Sequence, residues 1–329
     1  MDDNLDPGGL RIGVVGLGLM GTSIAVALLV AEHPVVAIAP LAGELDKAPD
    51  EIRKQLLQCK TAGLLKSSPD DCMSRLTLSA DYNDLADCRM VLECVVEDLE
   101  IKTQVYQCIT RSVPAGTVIT TNTSAIPISI LQNHVSHPGR FLGMHWAEPA
   151  YLTRFLEITC GARTDKRCAQ WAYDLSTRWG KEPTLLKKDI RGFVTNRLMY
   201  AVYREALTLA DTGEAGIEDM DKAFRYDAGS WMTMMGVFRR MDYMGLGDWE
   251  PIFQEIFPRL SNTGSVPQTM QRLIDNKARG TQTAGGFYDY PEQEGAAWTE
   301  AFARFNEDID QLAAAYPSGK TAGRNNDNA

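Results

Sequence analysis

A glycine-rich turn near the N-terminus places the strongest constraint on the fold of this chain. The apolar run Arg11-Ile-Gly-Val-Val15 leads into Gly16-Leu-Gly-Leu-Met-Gly21, and an apolar helical segment follows over residues 20–31. GxGxxG between a strand and a helix is typical of a turn that binds a dinucleotide pyrophosphate. The first glycine permits the tight turn, the second admits the phosphates, and the third lets the helix pack against the strand. We therefore predict a dinucleotide-binding α/β domain, with a plain connecting loop as the alternative.

The first half of the chain alternates short apolar runs with longer amphipathic segments. Further strands are predicted over residues 35–38, 90–94, 117–121, 141–144 and 155–159. Further helices are predicted over residues 46–59, 99–111 and 165–179. Nearly continuous apolar strands that alternate with helices indicate a doubly wound, mostly parallel sheet covered on both faces.

The pattern changes after about residue 188, where apolar residues recur only at helical spacing. Helices are predicted over residues 192–211, 217–226, 235–244, 266–276 and 298–315. We therefore predict two domains: an α/β domain over residues 1–188 and an all-helical domain over residues 189–329.

Composition excludes several classes of function. The chain has 329 residues and a net charge of -10, which argues against nucleic acid as a partner. No apolar stretch reaches the roughly 18 residues of a membrane span. The seven cysteines are odd in number and form no CxxC pair, which argues against a zinc site or a disulfide framework and favours a reducing compartment. We expect a cytoplasmic protein without a bound metal, acting on a small molecule.

A histidine and a glutamate form the most informative pair of polar residues. His145 follows the apolar run Phe141-Leu-Gly-Met144, and Glu157 lies in Phe155-Leu-Glu-Ile-Thr159, twelve residues further on. If the two strands are neighbours, the carboxylate can hold the imidazole in one tautomer, as a general base requires. A core histidine beside an edge-strand glutamate is the alternative interpretation.

Together these features resemble the 3-hydroxyacyl-CoA dehydrogenase family, over most of residues 10–291. The glycine turn is similar to its nucleotide turn, and His145 and Glu157 have the spacing of its catalytic pair. Other similar segments are Leu92-Glu-Cys-Val-Val-Glu-Asp-Leu-Glu-Ile-Lys102, Thr121-Asn-Thr-Ser-Ala125, Gly192-Phe-Val-Thr-Asn-Arg-Leu198, Met235-Gly-Val-Phe238, Met241-Asp-Tyr-Met-Gly-Leu246 and Gly285-Gly-Phe-Tyr-Asp-Tyr290. The resemblance implies a Rossmann-type sheet followed by a helical C-terminal domain through which two copies pair as a homodimer.

The resemblance also implies residue roles. The active-site residues would be His145, Glu157, Ser124 and Asn196. The positions that contact the cofactor, NAD, would be Gly16, Gly18, Leu19, Met20, Gly21, Glu97, Lys102 and Asn122. From the residues alone, Ser124 could instead be a turn residue that caps a helix, and Asn196 a polar group on a helix surface.

Two departures from the family pattern concern the cofactor and the substrate. The second strand ends in Ala39 instead of an acid that would bind the adenosine ribose, so NADP stays open beside NAD, although Glu44 or Asp46 could reach the ribose from the loop. The HFFNP motif of the family is His145-Trp-Ala-Glu-Pro149 here, so that Glu148 replaces a neutral asparagine. A carboxylate beside the histidine would repel an anionic acyl group and suit a cationic one.

A basic segment speaks for a CoA thioester. Residues 52–68 carry four basic side chains and no acid, and Lys60 and Lys66 could bind CoA phosphates, with a solvated helix face as the alternative. We therefore predict NAD-dependent interconversion of a 3-hydroxyacyl substrate and its 3-oxo form. The alternatives are a dehydrogenase of a small free 3-hydroxy acid or carnitine-like alcohol, and a nucleotide-binding protein without redox activity.

Overall fold

The computed structural model describes residues 9–291 and 294–314. The chain divides into two compact units, Met1–Asn196 and Arg197–Ala329. The division after Asn196 falls inside the helix Val194–Thr212. The domain junction expected after residue 188 stays a prediction.

An eight-stranded sheet forms the centre of the first unit, in the order β3-β2-β1-β4-β5-β6-β7-β8. All neighbouring pairs are parallel except β6 and β7, which are antiparallel. The predicted doubly wound, mostly parallel sheet is confirmed. The strands are β1 Ile12–Val15, β2 Val35–Ile38, β3 Leu76–Ser79, β4 Met90–Glu93, β5 Val118–Thr121, β6 Phe141–Trp146, β7 Phe155–Cys160 and β8 Glu182–Leu186.

The two edge strands, β3 and β8, escaped prediction for a physical reason. Every residue of β1, β2, β4 and β5 is buried, which produces the continuous apolar runs visible in the sequence. β3 has no fully buried residue, and β8 has only two, Pro183 and Leu186. Edge strands tolerate proline and need little apolar surface, so their sequence signal is weak.

In the described part of the first unit, six α-helices accompany the sheet. α1 is buried from Gly21 to Leu29, because it packs into the main core cluster of this unit. Asp98 caps α4 by accepting hydrogen bonds from the amides of Glu100 and Ile101. The helices are α1 Leu19–Val30, α2 Glu44–Thr61, α3 Pro69–Ser74, α4 Leu99–Ser112, α5 Ile128–Leu131 and α6 Lys166–Arg178.

The second unit is helical, as predicted. Its helices are α7 Val194–Thr212, which begins in the first unit, α8 Ile217–Ala223, α9 Gly229–Met235, α10 Val237–Met244, α11 Trp249–Ile256, α12 Gln268–Asp275 and α13 Glu294–Ala314. Residue 315, predicted to end the last helix, lies outside the described residues. Among the described residues of this unit, none is fully buried. Within residues 9–291 and 294–314, no helix is long and apolar enough to cross a membrane.

The glycine turn gives a test of the fold. A Cβ at position 21 would lie 1.7 Å from the carbonyl oxygen of Gly16, whereas a Cβ at position 18 has no atom within 4 Å. We expect Gly21→Ala to lower the free energy of unfolding by about 1–3 kcal/mol or more, because helix and strand must separate. The Gly18→Ala control should keep the wild-type Tm in thermal unfolding. Equal Tm values for the two variants would contradict this packing role.

Candidate active site

The carboxyl ends of β1, β4, β5 and β6 lie side by side, because these strands are neighbours in the sheet. The glycine turn follows β1, and the segment with Glu97 follows β4. The turn with Asn122 and Ser124 follows β5, and His145 is near the end of β6. Ligands of doubly wound proteins bind beyond the carboxyl ends of the strands, where the strand order reverses.

The glycine turn is shaped to receive a diphosphate. Gly16 has φ +94°, a conformation that favours glycine, and its amide donates to the carbonyl of Ile38 at 2.9 Å. Gly18 precedes α1 and faces open space, so phosphates can approach the backbone amides that begin the helix. Leu19 is 63% exposed, and Met20 is half-buried.

The end of β2 provides no acid within the strand. Ala39 is buried, and its amide is bound to the carbonyl of Ser79. Glu44 and Asp46 stand in the first turn of α2. One carboxylate oxygen of Glu44 accepts from the amide of Leu41 at 3.3 Å, so this acid also closes the loop after β2.

A buried carboxylate that the sequence reasoning missed lies at the end of β4. Glu93 is fully buried and accepts from the Lys102 ammonium at 2.8 Å, the Tyr106 hydroxyl at 2.8 Å, the Thr121 hydroxyl at 2.7 Å and the Val95 amide at 2.7 Å. A lone acid at the end of an apolar strand was the available signal. Its contacts join the ends of β4 and β5 to α4.

The side chain of Lys102, a predicted cofactor contact, is buried. Its side chain is 1% exposed, and its ammonium binds Glu93 and lies 3.4 Å from Oε2 of Glu97. The cofactor contact predicted at Lys102 stays a prediction; in the structure the ammonium contacts the carboxylates of Glu93 and Glu97, of which Glu97 is 37% exposed.

Glu97 fastens the turn that carries Ser124. Its Oε1 accepts from the Thr123 hydroxyl, from the amide of Ala125 at 3.1 Å and from the amide of Ile126 at 3.3 Å. Burial alone would raise the pKa of Glu97, but the hydrogen bond from Thr123 and the charge of Lys102 outweigh it and lower the pKa. A charged Glu97 thus sits beside the predicted cofactor and serine positions.

His145 and Glu157 form the pair that their spacing predicted. They are partners in the antiparallel register of β6 and β7, and Nδ1 of His145 lies 3.1 Å from Oε2 of Glu157. The imidazole contacts the rings of Phe155 and Phe193, with centroid distances of 5.7 and 5.6 Å. The histidine side chain is 15% exposed and the carboxylate is fully buried.

The second oxygen of Glu157 binds the beginning of α7. Oε1 accepts from the amides of Val194 and Thr195, both at 2.9 Å. Burial alone would raise the pKa of Glu157, but the hydrogen bonds from His145, Thr195 and Val194 outweigh it and hold the pKa below its usual range. Phe193, which sequence reasoning also missed, reaches this geometry with φ +49°.

The other two predicted active-site residues also come together. Asn196, in the first turn of α7, donates from Nδ2 to the carbonyl of Ser124 at 3.2 Å. Ser124 is exposed. Asn122 accepts from the amide of Trp146 at 2.9 Å, which links the turn after β5 to the residue beside His145.

The predicted substrate residues lie on exposed surface. Glu148 is exposed, and partial burial raises the pKa of its carboxyl. Lys66 pairs with Glu32 at 3.5 Å, and Lys60 is exposed on α2. Arg53 pairs with Asp70, so acids from outside residues 52–68 partly neutralise the predicted basic patch. Within the described part of the chain, no cluster of His, Cys, Asp or Glu could hold a metal ion.

The fold and the glycine turn define a dinucleotide-binding α/β protein, which carries the hydrogen-bonded pair of His145 and Glu157 at the carboxyl end of β6. A model of the 3-hydroxyacyl-CoA dehydrogenase NAD-binding domain matches residues 11–190, and a model of the C-terminal domain of these enzymes matches residues 192–290. The chain belongs to the 3-hydroxyacyl-CoA dehydrogenase family. It is an oxidoreductase, and its cofactor is NAD.

Two relatives differ in what their names state as substrate. The 5-formyl-3-hydroxy-2-methylpyridine 4-carboxylate 5-dehydrogenase of Mesorhizobium japonicum is 31% identical over 295 residues, which cover 88% of this chain and 94% of that protein. A 3-hydroxybutyryl-CoA dehydrogenase of Mycobacterium tuberculosis is 30% identical over 284 residues, which cover 85% of this chain and 98% of that protein.

Two solved structures are similar to this chain in fold and sequence. A crystal structure of a 5-formyl-3-hydroxy-2-methylpyridine 4-carboxylic acid 5-dehydrogenase, an NAD+ dependent dismutase, has a TM-score of 0.86 at 26% identity and covers 93% of this chain and 99% of that chain. A crystal structure of a Mycobacterium tuberculosis protein has a TM-score of 0.71 at 30% identity and covers 85% of this chain and 98% of that chain.

The buried carboxylate gives a test by pH. Because the pKa of Glu157 is lowered from its ordinary 4.5, its contribution to stability is present above that pH and is lost as pH falls through the lowered pKa. Glu157→Gln should reduce the free energy of unfolding at neutral pH by about 1–3 kcal/mol. The deficit should shrink below about pH 4, as measured by urea unfolding. Glu214→Gln, at an exposed glutamate, is the control and should match wild type at both pH values; a deficit independent of pH would contradict the assignment.

Proposed function

We propose that His145 is the general base of an NAD-dependent oxidation of a secondary alcohol. The single observation that carries the proposal is the bond between Nδ1 of His145 and buried Glu157. A charged Glu157 accepts a hydrogen bond from Nδ1 of His145, so the proton of the neutral imidazole lies on Nδ1. The lone pair of Nε2 is then free to take the hydroxyl proton of the substrate. Glu157 also stabilises the imidazolium that forms. NAD, when bound, accepts the hydride.

Ser124 and Asn196 are proposed to hold the reacting oxygen or a substrate carbonyl. Their support is their meeting at one point, where the side chain of Asn196 donates to the backbone of Ser124 and the serine side chain is exposed. A fixed hydrogen-bond donor beside the reacting oxygen stabilises the charge that develops there and orients the substrate.

NAD is proposed to bind across the carboxyl edge of the sheet. The backbone of Gly16, Gly18 and Gly21, with Leu19 and Met20, would receive its pyrophosphate. Glu97 and Asn122 would face its nicotinamide half. Lys102 would act through Glu97, because its ammonium is buried behind that carboxylate.

We propose a 3-hydroxyacyl-CoA as the substrate, oxidised to its 3-oxo form. Membership of the family and the similarity to a 3-hydroxybutyryl-CoA dehydrogenase support this choice. Lys60 and Lys66 would bind CoA phosphates; the pair between Lys66 and Glu32 is exposed, and exposed pairs hold their partners weakly.

A small free substrate without CoA, such as a 3-hydroxy acid or a carnitine-like alcohol, is the second candidate. Its support is the TM-score of 0.86 with a dehydrogenase of a formyl-hydroxypyridine carboxylate. Glu148, three residues after His145, disfavours an anionic group nearby and would select a substrate that presents a donor or a cation to it. The retained His145 and Glu157 pair argues against a nucleotide-binding protein without redox activity.

The second unit is proposed to pair with its copy as a homodimer. None of its described residues is fully buried, and it exposes large apolar side chains, among them Phe238 at 80%, Tyr226 at 74% and Leu246 at 63%. A helical unit with so much exposed apolar surface is typical of one completed by a partner. We also propose a cytoplasmic location, because all seven cysteines are free thiols, as expected in a reducing compartment.

Replacing the proposed base tests the mechanism. His145→Gln should lower kcat about 10²–10⁴-fold, because acid-base help is lost. NAD affinity, measured by calorimetry, should be unchanged, since the glycine turn is intact. His137→Gln, at an exposed histidine outside the site, should keep wild-type kcat. Full turnover by His145→Gln would refute the assignment.

A substrate panel separates the two candidates. We expect kcat/KM to be higher for 3-hydroxybutyryl-CoA than for free 3-hydroxybutyrate, carnitine or the formyl-hydroxypyridine carboxylate. The absorbance of NADH measures turnover. Lys60→Glu with Lys66→Glu should raise KM for the CoA thioester about tenfold, because attraction becomes repulsion, and should leave KM for free substrates unchanged. Lys47→Glu, on α2, is the matched control. Turnover confined to the pyridine would establish the second candidate.

A further inference from the structure

The β6–β7 loop, residues 147–154, follows His145 almost directly and carries Glu148. The loop closes on itself: the amides of Leu152 and Thr153 both donate to the carbonyl of Pro149 at 3.1 Å. The hydroxyl of Thr153 donates to the carbonyl of Ala147 at 3.2 Å. The loop is therefore compact, and what holds it sets the position of Glu148 relative to the histidine.

The buried ammonium of Lys181 binds two carbonyls of the β6–β7 loop. Lys181, just before β8, is 6% exposed, and its Nζ donates to the carbonyl of Ala150 at 2.6 Å and to that of Thr153 at 2.5 Å. The same Nζ lies 5.4 Å from the ring centroid of Trp146, the neighbour of His145. The ammonium of Lys181 thus contacts both the loop and Trp146 at the end of β6.

Two further contacts tie the loop to the helices beside the nucleotide turn. The amide of Ala150 donates to Oγ of Ser23 on α1 at 2.7 Å. The hydroxyl of Tyr151 donates to Gln58 on α2 at 2.6 Å. Because α1 begins at the glycine turn, the loop and the cofactor site share one rigid support.

We propose that Lys181 is a positioning residue, which fixes the β6–β7 loop and thereby sets Glu148 and His145 against the substrate. This inference rests on the proposed function of His145. Without the ammonium, the carbonyls of Ala150 and Thr153 lose a buried donor, and each must find another partner or move toward water. Small displacements beside a reacting centre reduce turnover strongly, because the reaction depends on orientation.

Lys181→Met tests the proposal in the full-length protein. We expect kcat/KM for 3-hydroxybutyryl-CoA to fall about tenfold. The affinity for NAD, measured by calorimetry, should be unchanged. Hydrogen–deuterium exchange should accelerate in residues 147–154 and stay at the wild-type rate in α1 and β1. Lys166→Met, at an exposed lysine on α6, is the matched control and should leave all three measurements unchanged.

Other results would overturn the proposal. Wild-type kcat/KM together with wild-type exchange in the loop would show that the ammonium is dispensable. Equal loss of substrate turnover and NAD affinity, with faster exchange throughout the sheet, would show a general structural role. If Lys181→Met does not fold, Ser23→Ala removes a second support of the loop and should give the same pattern. If the wild type turns over no substrate, the proposed function fails, and loop exchange still decides the role of Lys181.

Discussion

The site depends first on the buried carboxylate of Glu157. A charge removed from water costs several kcal/mol unless hydrogen bonds replace the lost solvation. Here Oε2 accepts from His145 and Oε1 from the amides of Val194 and Thr195. The positive end of the α7 dipole adds to this stabilisation. One carboxylate therefore fixes the histidine tautomer and the start of α7, which carries Asn196.

A second buried carboxylate organises the neighbouring strand ends in the same way. Glu93 accepts hydrogen bonds from the loop after β4, from β5 and from α4, including the one from Lys102. The same ammonium lies 3.4 Å from Glu97, which holds the turn around Ser124. The contacts between Glu93, Lys102 and Glu97 thus connect the buried end of β4 to the turn that carries the exposed Ser124.

The sequence predicted the features that follow from local patterns. The glycine turn, the buried central strands and the pairing of His145 with Glu157 are visible because each needs particular residues at fixed spacing. The edge strand β8 was not visible, since its exposed positions and Pro183 resemble a loop. The burial of Lys102 and the contact of Glu157 with α7 were not visible either, because both depend on residues brought together only by tertiary packing.

Three glutamates near the site show how environment divides one residue type into different tasks. Glu157 and Glu97 have lowered pKa values because hydrogen bonds outweigh burial, so both are held charged. The pKa of Glu148 is raised by burial. A carboxyl in that condition gains most from a partner that donates a hydrogen bond or carries a positive charge. Glu157 and Glu97 therefore hold the imidazole of His145 and the turn around Ser124 in place, and Glu148 is the carboxylate that we propose to discriminate between substrates.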